Sequence, residues 1–268
     1  MSEAVEQPGE ATLPRPMGVG EILSAALRLY QRHWRTLLAI AAVVVVPITL
    51  LQYLLGSQVR SQSEVTDNGV VMSTPSWAVG ISGLVAALAG LLMYLVLTGA
   101  ITRAVAAEVV GEDAGVEQSY RFGFHRLGSV LVVSVLVGLA TIGGLILLVI
   151  PGIYIGVRLA VSIEALVVEG RRGTQAMRRS WDLVGGHWWH AFGTLLVTGL
   201  LTGLVNILIT APFGATSWVA QAVLAAIATT ITLPYGALVG VLLYLDLRAR
   251  KETLTVETLR ADLQASAA

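Results

Sequence analysis

The chain has 268 residues, 55% hydrophobic and 13% charged, with a mean hydropathy of +0.76 and no formal net charge. Water-facing domains carry roughly 25% charged residues, so a soluble enzyme, a nucleic-acid reader and a disordered scaffold are excluded as the main body. The absence of cysteine removes disulfides, thiolate metal sites and cysteine nucleophiles, and the near-exclusive use of arginine over lysine (Lys251 alone) matches the composition of a GC-rich bacterial genome.

Residues 1–16 are acidic and proline-bearing, without the basic start of an export signal, and are expected to form a disordered cytoplasmic tail. In 19–35, Val19, Ile22, Leu23, Ala26, Leu29, Tyr30, His33 and Trp34 recur at helical spacing, with Arg28, Arg32 and Arg35 on the opposite stripe. Such a helix either lies against anionic headgroups or packs on the ends of the spans. A crossing helix needs about 20 apolar residues. Runs of that kind fall at 36–55, 77–101, 130–150, 153–168, 192–212 and 218–245. Pro151-Gly152 separates the third from the fourth, which is short and interrupted by Arg158 and Glu164. Pro47 and Pro234 are expected to kink the first and sixth. The expected fold is therefore all-α: one polytopic membrane domain over 17–250, with six transmembrane helices, amphipathic interfacial helices on the cytoplasmic side, and a mobile cytoplasmic tail at 251–268. Within that tail, Val256, Leu259 and Leu263 share a helical face.

Orientation follows from the cations. With the N-terminus inside, fifteen of the 17 Lys and Arg residues fall on the cytoplasmic side, leaving Arg60 outside and Arg158 within a span. Trp34, Trp77, Trp181, Trp188, Trp189 and Trp218 lie at or just beyond predicted span ends, where indoles belong. Residues 116–127 and Thr174–Val184 repeat the amphipathic pattern. His33-Trp34 and His187-Trp188 each precede a span, and Glu108 and Tyr120 echo Glu169 and Trp181 in spacing. Three units of interfacial helix plus transmembrane hairpin are thus suggested.

A charge at mid-bilayer costs roughly 2.5–3.5 kcal/mol on insertion scales, so Arg158 and Glu164 each need a reason. Six residues apart on a helix is about 240° of rotation, so they do not face each other. Glu164 is either a proton or substrate site or a polar clamp with Asn206, Gln221, Tyr94 or a carbonyl. Arg158 either contacts a lipid phosphate or snorkels to the outer headgroups. Candidate lipid or partner contacts at the interface are Arg28, Arg32, Arg35, Arg171, Arg172, Arg178, Arg179, Trp181 and Trp188. Glycines at 152/156, 199/203 and 236/240 allow close helix approach, within the bundle or in a homodimer seam. His187 and His190, beside two tryptophans, fit an interfacial belt better than a metal site. No P-loop, HExxH or GxSxG pattern occurs, so no catalytic residue, metal or cofactor is expected.

The stretch Ile150-Pro151-Gly152-Ile153-Tyr154, Val157-Arg158-Leu159, Glu169-Gly170 and Ala176-Met177-Arg178-Arg179-Ser180-Trp181-Asp182-Leu183-Val184 resembles the hallmark of the glycerophosphoryl diester phosphodiesterase membrane domain family. Pro16-Met17-Gly18-Val19-Gly20-Glu21-Ile22-Leu23 and Leu29-Tyr30-Gln31-Arg32-His33-Trp34 are similar to its N-terminal region. The resemblance implies a multi-span protein of the bacterial cell (inner) membrane, with Pro151, Gly152, Arg158, Glu169, Ser180 and Trp181 as shared motif residues. In some relatives the module is joined to a phosphodiesterase barrel, which this sequence lacks, so that activity is not carried over. The leading expectation is a non-enzymatic module organising membrane lipids, through anionic headgroups, or partner proteins at the inner leaflet. The alternative is a small-molecule or lipid transporter using Arg158 and Glu164, and an intramembrane enzyme is a distant third. No nucleic-acid partner is expected.

Overall fold

A computed structural model describes residues 16–60, 63–66, 69–72, 98–99, 101–103, 105–106, 128–130, 132–141, 143–144, 148–213 and 218–267. The fold is helical, as the composition requires. α1 covers Val19–Arg60, α2 Val149–Arg158, α3 Ser162–Glu169, α4 Thr174–Val184, α5 Trp188–Thr210, α6 Trp218–Lys251 and α7 Val256–Ala267. The other described residues of 98–106 and 128–144 are also helical. Three stretches are long and apolar enough to cross a membrane: Val149–Glu169, Trp188–Thr210 and Ala220–Lys251. The latter two coincide with predicted spans five and six. The second predicted span lies outside the described residues except near its end, as does the whole of 116–127.

Several expectations are corrected. One boundary is kept: the stretch 19–35 and the run 36–55 are two helical segments joined in α1 across a kink, where the backbone leaves helical geometry at His33. Pro47 lies within α1 and Pro234 within α6, so neither ends its helix. The break between predicted spans three and four falls at Leu148, which is extended, rather than at Pro151. Pro151 instead sits in the first turn of α2, where a missing N–H costs nothing. A second break at 159–161 separates α2 from α3. The connection after α1 carries a short antiparallel hairpin, Ser63–Thr66 with Gly69–Met72, that the sequence reading did not anticipate.

α6 is the central element. α1 and α5 pack along it, and its C-terminal half, including Val239, Leu243, Tyr244, Leu245 and Leu247, is buried. α1 contributes its inner stripe, Ile22 and Ala26. Two tyrosines brace this pair: Tyr30 donates to the Ile231 carbonyl at 3.0 Å, and Tyr235 donates to the Leu23 carbonyl at 3.3 Å. α5 turns a ladder of polar residues at i, i+4 along its length. Thr194, Thr198, Thr202 and Thr210 donate to the carbonyl four residues back, and Asn206 reaches both Thr202 and Thr232 of α6. Each hydroxyl is thereby satisfied without water. Its remaining surface exposes Leu200, Leu204, Ile207 and Leu208, as a lipid-facing helix would.

The glycine pairs behave differently from one another. A Cβ on Gly144 would lie 2.9 Å from the Gly152 backbone, and one on Gly156 would lie 3.3 Å from Thr141, so the 152/156 pair does seat a neighbouring helix. Gly199 and Gly203 have nothing within 4 Å.

Within 251–267 the chain is helical over α7 and packed on the bundle. Thr255 and Thr258 cap the start of α7 reciprocally, and Leu254, Leu259 and Leu263 are buried in the main core. α7 packs against α3.

The helix ends are tied at Asp246, which is fully buried. It accepts from the Met17 backbone at 2.6 Å, from Arg250 Nε at 2.9 Å, and pairs with His190 Nε2 at 2.9 Å. Removing one partner of a buried ionic cluster costs about 3 kcal/mol. Asp246→Ala is therefore expected to lower the melting temperature of the detergent-solubilised protein by several degrees, whereas exposed Gln175→Ala leaves it unchanged; thermal melts monitored by tryptophan fluorescence check this.

Candidate functional site at the cationic end of α6

The apolar run of α6 ends in Tyr244-Leu245-Asp246-Leu247-Arg248-Ala249-Arg250-Lys251. Helical periodicity puts Tyr244 and Arg248 on one face and Asp246 and Arg250 on another. The second face binds the starts of α1 and α5, as described. The first meets α3, α4 and α7 around Glu169, which ends α3 just before left-handed Gly170.

Glu169 Oε1 accepts from Tyr244 at 2.8 Å and from Arg179 Nε at 2.7 Å, while Oε2 accepts from Arg171 Nε at 2.6 Å. Arg179 continues to Glu252 at 2.5 Å, and Arg248 reaches Glu252 at 3.3 Å and Asp262 of α7 at 2.9 Å. Burial opposes the charge on Arg179. Its hydrogen bonds and ion pairs with Glu169 and Glu252 outweigh that, and hold the guanidinium above its ordinary value.

Arg158 stands at the end of α2, against α4. Its Nη1 donates to the Trp181 carbonyl at 2.8 Å, and Nη2 and Nε donate to the Tyr154 hydroxyl at 2.8 and 3.1 Å. The guanidinium also lies 4.8 Å from the Trp181 ring centroid. Ser180 fixes the same junction: its hydroxyl donates to the Arg158 carbonyl at 2.9 Å and accepts from Val161 N–H at 3.3 Å. Beside it, Lys251 donates to the Asp182 carbonyl. A Cβ on Gly185 would stand 2.9 Å from Arg158 Nη1 and 3.4 Å from Lys251 Nζ. Arg158 thus packs against α4, among Tyr154, Trp181 and Trp188. Trp188 stacks between Tyr154 and Phe192, with centroids at 5.7 and 5.0 Å. Exposed Trp189 meets its edge.

The motif residues therefore converge. Gly152 is buried against the 128–144 helix, Pro151 opens α2, and Arg158, Ser180 and Trp181 lock α2 to α4 while Glu169 locks α3 to α4 and α6. Glu164 is not brought to Arg158. It is 2% exposed, its Oε2 has no partner, and its Oε1 occupies the space a Cβ on Gly240 would need, 2.8 Å away. Asn206, one of its expected clamps, is bonded elsewhere.

Among the expected interfacial cations, Arg28, Arg32, Arg35, Arg172 and Arg178 are exposed. Arg171 is exposed but paired, and Arg179 points inward. Arg35 lies over half-exposed Trp34, 5.3 Å from its ring centroid. The sequence reading missed Tyr244, Asp246 and Arg248, although their i, i+4 spacing at the end of a span was visible. His190 is committed to Asp246, and among the described residues no three metal-type side chains gather.

Comparison with family models, with curated proteins and with solved structures returns no match. The residues alone carry the functional reading.

Glu169→Gln removes the charge that Arg171, Arg179 and, at 3.8 Å, Arg248 converge on. The expected loss is about 3 kcal/mol of stability, seen as a lower melting temperature and faster proteolysis at the α7 segment. An unchanged melt together with a protected tail would contradict the network.

Proposed function

We propose that this chain is a six-span protein of a bacterial inner membrane, with both termini cytoplasmic, and that it acts as a non-enzymatic module organising anionic lipid at the inner leaflet. The observation that carries this reading is the sorting of arginines. Arg28, Arg32 and Arg35 occupy the outward stripe of a helix whose inner stripe is buried, and they make no ion pair among the described residues. Arg179, Arg248 and Arg250, by contrast, are consumed by carboxylates. Exposed cations beside half-exposed Trp34 are the chemistry of a headgroup contact. The first third of α1 then lies along the membrane surface, bending at His33 into a span, and α4 lies under the cytoplasmic ends of the bundle. The resemblance to the glycerophosphoryl diester phosphodiesterase membrane domain family agrees with this, and the convergence of its motif residues gives those residues a structural task.

Translocation through Arg158 and Glu164 is the second reading. The unpartnered Oε2 of Glu164 favours it, and the tight packing against Gly240 and the engagement of Arg158 by α4 oppose it.

Each basic residue near an anionic surface is worth about 1 kcal/mol. In proteoliposomes, tryptophan quenching by brominated phosphatidylglycerol is expected to exceed that by brominated phosphatidylcholine at low salt, with the gap narrowing as salt rises. Substituting Arg28, Arg32 and Arg35 by Gln is expected to remove most of the gap. Equal quenching by the two lipids in the wild type would defeat the proposal.

The orientation has its own check, made simple by the absence of native cysteine. In whole cells, Glu64→Cys is expected to react with an impermeant maleimide, and Gln175→Cys and Gln264→Cys only after permeabilisation. Labelling of Gln175→Cys in intact cells would reverse the topology.

A further inference from the structure

Arg158 and Lys251 stand apart from the other cations of this end. Arg171, Arg179, Arg248 and Arg250 each meet a carboxylate. The partners of Arg158 and Lys251 are instead the Tyr154 hydroxyl and the carbonyls of Trp181 and Asp182. Both nitrogens crowd the single point above Gly185 that a side chain would otherwise fill. The carbonyls belong to the C-terminus of α4, which supplies only about half a negative charge. Two full positive charges on that half charge leave the pair with an excess of more than one. Like charges held this close call for a counter-ion, and among the described residues neither Arg158 nor Lys251 forms an ion pair with a carboxylate.

The surroundings specify the kind of anion. A guanidinium fork beside an ammonium matches the oxygens of a phosphate. α5 begins three residues beyond Gly185, and its first turn has no side-chain cap, so its amides add positive potential. Tyr154 and Trp181, whose rings meet Arg158, are each more than a third exposed, and rings of this kind sit at headgroup depth. We infer that Arg158 and Lys251, which the missing side chain of Gly185 lets approach one another, form a binding site for a phosphate oxyanion carried by the headgroup of an anionic phospholipid. This rests on the lipid-contacting reading above and narrows it from a diffuse cationic surface to one discrete site.

The test is native mass spectrometry of the full chain in detergent, titrated separately with dioctanoyl phosphatidylglycerol, dioctanoyl phosphatidylcholine and inorganic phosphate. The expected result is a saturable one-to-one adduct with phosphatidylglycerol, at least about tenfold weaker with either of the other two. Arg158→Gln/Lys251→Gln is expected to weaken it about tenfold or more. Lys251→Gln alone, which loses only a surface contact, is expected to weaken it severalfold and covers the case in which losing Arg158 unfolds the protein. The triple substitution of Arg28, Arg32 and Arg35 by Gln should leave the adduct intact. An adduct unchanged in Lys251→Gln and in the double variant overturns the site while leaving the broader reading standing, provided phosphatidylglycerol still quenches preferentially in proteoliposomes. Loss of that preference as well overturns both. Inorganic phosphate binding as tightly as the lipid, and lost in the same variants, rejects the lipid as the source of the oxyanion.

Discussion

The organisation of this protein follows from one constraint: a helix buried on most sides must carry four buried or half-buried ionisable side chains through its last two turns. α6 leaves its apolar stretch directly into Tyr244, Asp246, Arg248 and Arg250, with Leu245 and Leu247 between them still in the core. Charge cannot be buried alone at acceptable cost, so every element that packs there must bring a complement. The start of α1 brings a backbone amide, α5 a histidine, α3 a glutamate and α7 an aspartate. The same requirement explains why helices from distant parts of the sequence meet at this end of the molecule.

The remainder of the bundle obeys the complementary rule, that polar groups away from that end must be satisfied locally. The threonine ladder of α5 does so within its own helix, and the tyrosines between α1 and α6 do so across a helix pair. The exceptions are Glu164, the hydroxyls of Thr98, Thr102 and Ser134, and His187 Nδ1, and of these only Glu164 carries a carboxylate. Its position against Gly240, with one oxygen unpartnered, is the single place where a buried carboxylate is left incompletely solvated among the described residues.

How far this was legible in the sequence depends on the range of the interaction. Spans five and six, the amphipathic α4 and the buried stripe of early α1 were visible because hydropathy and helical period are local. The convergence of motif residues between Pro151 and Trp181 was visible as a pattern, but its meaning was not. Arg158 looked like a charge in lipid because the carbonyl that receives it lies on another helix. Arg179 and Arg178 are neighbours in one basic run, and only the position of Glu169 and Glu252 decides that the first turns in and the second out. The docking of α7 was missed for the same reason. Val256, Leu259 and Leu263 announced an apolar face, and nothing local said what would cover it. The bend at His33 falls where no proline or glycine stands, and nothing local announced it.

The ties at the end of α6 also have an order in time. Asp246 is joined to an amide 229 residues earlier in the chain, and Arg248 finds its last acceptor only after Asp262 has been made. Ribosome-bound chains therefore present α1 with its anchor missing and, later, α6 with its guanidinium unclaimed. Helix insertion must precede closure by most of the length of synthesis, and closure then engages several elements together. A protein built this way should mature in one late, cooperative step.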